Sequence, residues 1–134
     1  MKVWDAATGK LLFEHRQGDE AFATVGFTAD GKTLAVVTTP GEVRLLDAAT
    51  GKVRHKLGAW AGQQVGMAAG RAGVLVWAYD TDRAQRGGAY LIDPNTGKTV
   101  RTFRTGSVYD AGFSPDGKRV VVSDNKLVEV WDVA

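Results

Sequence analysis

AGFSPDGKRVVVSDNKLVEVWD, residues 111–132, decides the fold. At its centre stands Ser114-Pro115-Asp116-Gly117. An Asp-Gly pair between apolar runs is a strong hairpin signal, because glycine accepts the positive φ that the turn demands. Val108 to Phe113 leads into this turn, and Val120-Val121-Val122 leaves it as a continuous β-branched run, the pattern of a strand buried on both faces. Ser123-Asp124-Asn125-Lys126 supplies a second turn, and Leu127 to Trp131 a third strand. The stretch therefore predicts three short antiparallel strands joined by tight turns.

The rest of the chain repeats this phrase. Asp-x-x-Thr-Gly-Lys occurs at Asp5 to Lys10, Asp47 to Lys52 and Asp93 to Lys98, and a fourth apolar-Asp pair closes the series at Trp131-Asp132. Phe27, Met67 and Phe113 each follow a glycine, and Leu34, Val74 and Val120 stand seven residues after them. That equal spacing predicts one hairpin length in all three places. Each unit then reads as four strands, a to d, with the apolar-Asp pair ending strand c and Thr-Gly turning the chain into strand d. The d strands are expected at Lys10 to His15, Lys52 to Leu57 and Lys98 to Phe103. No segment of helical length carries apolar residues at i, i+3, i+4 and i+7, so the chain is all-β.

Four short strands recurring roughly every 40–45 residues are the signature of propeller blades. The unit resembles the WD-repeat (Trp-Asp repeat) β-propeller family, through Phe113-Ser114-Pro115-Asp116-Gly117-Lys118 before strand b and Val130-Trp131-Asp132 at the end of strand c. Blades of the YVTN and quinoprotein type share the apolar-Asp and Thr-Gly-Lys phrase and have the same architecture. Two departures from the WD-repeat pattern stand out. The family's Gly-His pair before strand a is missing, and two of the Trp-Asp positions read Leu46-Asp47 and Ile92-Asp93. The buried Trp, Ser/Thr, His and Asp network that the resemblance would imply is thus not expected here.

On this reading the chain is one propeller segment: strands c and d at 1–16, a blade at 17–57, a blade at 58–104 carrying an insertion at 80–88, and strands a to c at 105–134. A ring typically needs about 4–8 blades. An incomplete ring leaves an apolar blade face bare at each end, where repeat arrays usually carry a polar cap. Two expectations follow: the segment is part of a larger propeller, or copies associate into a closed ring.

Composition narrows the function. With 44% hydrophobic and 24% charged residues the chain is an ordinary globular one. Its 17 Lys and Arg against 15 Asp and Glu are scattered along the chain, without the basic stripe of a nucleic-acid binder, so no nucleic-acid partner is expected. The longest apolar run, Val74 to Tyr79, is far short of the roughly 20 residues of a membrane span, so no membrane partner is expected either. There is no cysteine, hence no disulfide, thiolate metal site or thiol nucleophile, which fits a cytoplasmic setting.

Gly26 to Thr33 matches the phosphate-loop pattern G-x-x-x-x-G-K-[ST], but that loop must open a helix, and the sequence after it is β-branched and ends at Pro40. Asp30 within it also opposes phosphate. His15 and His55 fall on d strands and read as solvated. Asp80-Thr81-Asp82 reads as exposed loop charge rather than a Ca2+ site. No catalytic residue, cofactor or metal is expected. Insertions on a repeat scaffold tend to map to its binding face, and Trp and Arg are favoured anchors. Trp60, Asp80, Asp82, Arg83, Arg86 and Tyr109 are therefore the candidate protein-binding residues, on the face where b–c and d–a loops gather. The expected function is a non-catalytic protein-interaction scaffold; a segment of a propeller enzyme or sensor with its active groups elsewhere is the alternative.

Overall fold

The computed structural model describes residues 1–16, 18, 21–39, 41–58, 60, 64–79 and 87–134, the side chain of Thr105 apart. Among these, thirteen strands and no helix are present. They form four antiparallel sheets. Blade I is β1 (Lys2–Trp4) and β2 (Leu11–Glu14); blade II is β3 (Phe22–Phe27), β4 (Thr33–Thr38), β5 (Val43–Asp47) and β6 (Val53–Leu57). Blade III is β7 (Gln64–Ala69), β8 (Val74–Tyr79), β9 (Gly87–Ile92) and β10 (Thr99–Thr105), and blade IV is β11 (Asp110–Phe113), β12 (Arg119–Ser123) and β13 (Val128–Asp132). Each sheet is a meander in chain order, so every strand pairs with its sequence neighbour and the turn chemistry sets the register.

The sheets stack face to face, and three apolar clusters lie between them. Val3, Leu34, Val36 and Leu46 join blades I and II. Ala35, Val37, Val43, Leu45, Val74, Val76 and Ile92 join blades II and III. Leu75, Ala89, Leu91, Val120 and Val122 join blades III and IV. The alternation of strand side chains explains why neighbours such as Leu34 and Ala35 serve different clusters. β4 is therefore buried along its whole length, between two blades. Its counterpart β12 is not: Val120 and Val122 are buried, whereas Val121 faces out. The expectation of a strand covered on both faces fails there: among the described residues no sheet packs on the Val121 face.

The three a–b hairpins are not of one length. Phe27 pairs with Leu34 and Phe113 with Val120, but in blade III it is Ala69 that pairs with Val74. The Gly70–Gly73 turn is tighter by two residues, so Met67 corresponds to Val25 and Ala111 rather than to Phe27 and Phe113. The equal sequence spacing had concealed this slip. It brings Gly66 opposite Trp77, whose indole lies where a side chain would be: a Cβ on Gly66 would come 2.3 Å from the ring.

Candidate functional site

The Asp-x-x-Thr-Gly-Lys phrase is a turn device. In the first copy the Thr8 N–H and hydroxyl donate to Asp5 Oδ1 at 2.6 and 2.8 Å; in the second the Thr50 N–H and hydroxyl donate to Asp47 Oδ1, both at 2.9 Å. In the third, the Asn95 N–H and Thr96 hydroxyl donate to Asp93 at 2.8 and 3.1 Å. Gly9, Gly51 and Gly97 take φ of 69, 71 and 68°, the left-handed conformation that glycine adopts without strain. These bonds hold all three carboxyls below the ordinary carboxylate range, led by the threonine hydroxyl for Asp5 and Asp47 and by the Asn95 N–H for Asp93. The carboxylates are thereby committed to their own turns.

The phosphate-loop match dissolves in the same way. Gly26 lies within β3, the chain returns as β4, and Asp30 Oδ1 accepts from the Thr28 hydroxyl at 2.6 Å and the Lys32 N–H at 3.0 Å. A carboxylate occupies the centre of the turn, and no helix N-terminus is there to receive a phosphate. Among the described residues no group of three His, Cys, Asp or Glu is placed to hold a metal ion.

His55 has a role that its sequence position did not reveal. Its Nε2–H donates to the Asn95 carbonyl of the next blade at 2.8 Å, and its ring packs over Gly97. Eight residues after each turn aspartate the same contact recurs with different chemistry. The Phe13 ring packs on Gly51, and the Arg101 guanidinium donates to the Val133 and Ala134 carbonyls at 2.9 and 2.6 Å. This position pins each d strand to the c–d turn region of the following blade. Arg104 adds a second link from blade III to blade IV, donating to Glu129 at 2.6 Å and pairing with Asp124.

The predicted binding residues separate. Asp80, Asp82, Arg83 and Arg86 lie outside the described residues. Trp60 is only 6% exposed and packs in the cluster between blades II and III, its ring centroid 5.5 Å from that of Tyr90. As a core side chain it offers little surface to a partner. Tyr109 is 49% exposed; its ring centroid lies 4.4 Å from that of Tyr79, and its hydroxyl donates to the Tyr79 hydroxyl at 3.0 Å. Together with Gln64, Gly66, Trp77 and Val108 the two tyrosines line a shallow cleft of about 230 Å³. A larger cleft of about 590 Å³ lies between the a–b turns of blades II and III, lined by Asp30, Arg71 and Asp93 among others.

Both ends of the stack leave apolar side chains uncovered. Val130 stands two residues before a turn aspartate, as do Val3, Leu45 and Leu91; those three are buried against the following blade, whereas Val130 is 65% exposed. Val128 and Val121 are exposed likewise, although their counterparts Val43, Ala89, Ala35 and Leu75 are fully buried. The other end mirrors this. Trp4 immediately precedes its aspartate, as do the buried Leu46 and Ile92, yet it is 55% exposed. Val25 and Phe27 are exposed where Met67 and Ala111, and Ala69 and Phe113, pack on the preceding blade. Every one of these side chains is apolar because its repeat position normally faces another sheet.

Stacked four-stranded antiparallel meanders with their c–d turns locked by aspartate define a β-propeller segment of the WD40-repeat class. The chain belongs to this family: the model of the anaphase-promoting complex subunit 4 WD40 domain matches residues 1–80, more than half of its length. Among curated proteins none matches. Among solved structures, a chain of "Crystal Structure of Mitotic Checkpoint Complex" superposes with a TM-score of 0.71 at 21% identity, over 98% of this chain and 42% of that one. The computationally designed Ika4 protein superposes with a TM-score of 0.69 at 21% identity, over 99% of this chain and 79% of that one. The present chain thus spans less than half the length of the checkpoint-complex chain, and these likenesses concern the fold.

Proposed function

We propose that the chain is a non-catalytic protein-interaction scaffold that works as part of a closed propeller ring. The observation that carries this is the state of the end faces: six apolar side chains, Trp4, Val25, Phe27, Val121, Val128 and Val130, stand exposed at repeat positions that are packed everywhere else in the stack. Exposed apolar patches of this extent mark association surfaces. The remaining blades are supplied either by a longer propeller or by further copies of the chain. WD40 membership supports the scaffold role, and the turn aspartates and His55 are engaged in structural contacts.

The partner surface of this scaffold is the face on which Tyr79 and Tyr109 lie. A tyrosine pair offers a large, rigid contact area with a hydrogen-bonding tip, the usual chemistry of an interface anchor. Affinity purification with the Tyr79→Ala/Tyr109→Ala double variant tests this. The variant is expected to fold as the parent does and to lose a partner that the parent retains. Recovery of an unchanged set of partners would place the surface elsewhere.

A further inference from the structure

The ring reading leaves undecided which strand completes the last sheet. Both terminal strands carry the same tripeptide: Val3-Trp4-Asp5 runs one residue past β1 and Val130-Trp131-Asp132 ends β13. Their coverage is reversed. Val3 is buried against Leu34, Val36 and Leu46, with Trp4 bare. Trp131 packs on Phe103 of blade III at a centroid distance of 6.4 Å, with Val130 bare. Each end has covered what the other exposes.

Blade I also lacks its two inner strands, and Val25 and Phe27 face the space where they would lie. A sheet that covers these two residues must lie in the plane of β1 and β2. β11 and β12 of a second copy supply strands a and b for that plane, and β13 then claims the position held by β1. Resting on the ring reading above, we infer that two copies exchange strands: β13 of each displaces β1 of the other and pairs with β2. Blades II and III of both copies and two mixed blades make a ring of six, within the range of about 4–8 blades that propellers close with.

β1 is the weaker claimant to the position. It spans three residues and buries only Val3. β13 pairs with β12 without a break over five residues. Val130 would enter the seat of Val3 beside Phe13 with no change of side chain, and Trp131 would keep its contact with Phe103. Val121 would move from solvent onto the face of β3 and β4. One term opposes the exchange: Lys2 now stands opposite Glu14, and Glu129 would take that place. The Arg104 guanidinium, already on Glu129, moderates that repulsion.

Sedimentation equilibrium of the full chain and three single variants tests the exchange, with circular dichroism to confirm the β fold of each. The parent is expected to dimerise. Val130→Asp should weaken the dimer at least about tenfold, since it places a charge in the seat of Val3. Val3→Asp, in the same tripeptide, should leave the dimer intact or tighten it, because it only frees β1. Trp4→Ser, at a residue already exposed and therefore safe for folding, should leave the dimer unchanged. If the parent dimerises but Trp4→Ser or Val3→Asp weakens it as Val130→Asp does, the copies stack with β1 in place; the exchange is then overturned while the ring reading stands. A monomeric parent would overturn the exchange and leave a longer propeller as the source of the missing blades.

Discussion

Replacing Trp60 with alanine is expected to destabilise the chain by about 3–5 kcal/mol, the usual cost of emptying a buried tryptophan site. Trp60 lies between blades II and III in one cluster with Val43, Leu45, Met67 and Val76, and its ring leans on Tyr90. Truncation removes apolar burial from both sheets at once and leaves a cavity that their backbones, fixed by ladder hydrogen bonds, can close only in part. Domains of this kind are stable by roughly 5–15 kcal/mol, so the variant should approach the folding limit. Urea denaturation followed by tryptophan fluorescence and circular dichroism measures the loss. Were Trp60 an exposed partner anchor, the same change would alter stability by less than about 0.5 kcal/mol.

The second large effect compares two residues at one repeat position. Leu45 and Val130 each stand two residues before a turn aspartate, yet Leu45 is fully buried and Val130 is 65% exposed. Leu45→Ala should cost about 2–5 kcal/mol at any protein concentration. Val130→Ala should cost no more than about 0.5 kcal/mol in dilute monomer, the range of ordinary surface changes. When the protein is concentrated enough for the end face to be covered, its effect should grow, because stability is then linked to association. Urea melts at low and high concentration separate the two behaviours. A Val130→Ala cost that is the same at both concentrations would mean that the face stays uncovered.

Much of the fold is legible in the sequence, for reasons local to the turns. Asp47-Ala48-Ala49-Thr50-Gly51-Lys52 closes its own hydrogen bonds, so its recurrence fixes the end of every c strand without reference to the rest of the molecule. The apolar residues before each aspartate alternate between two neighbours, which makes the stack of sheets readable as well. What escaped depended on contacts between blades. The glycine ladder at Gly26, Gly66 and Gly112 suggested equal hairpins, but Val74 keeps the b–c register of Leu34 and Val120, and only the a–b pairing slips, across the shorter Gly70–Gly73 turn. Phe13, His55 and Arg101 share a position and a contact but no side-chain chemistry, so no pattern in the sequence marks them. Trp60 reads as a loop residue beside an insertion, and only the packing of blades II and III places it in the core. Tyr109 is a candidate binding residue in the sequence, but its stacking on Tyr79, thirty residues away in the chain, is not legible there.

In the proposed ring the bare end faces are blade interfaces that a partner sheet covers. Sedimentation velocity of the unmodified chain across the micromolar range, read together with binding of an apolar-surface dye, tests it most directly. The expected result is a concentration-dependent shift from the 14.3 kDa monomer to a compact dimer, with dye binding falling as the dimer forms. A chain that stays monomeric throughout, and binds no dye, would contradict it.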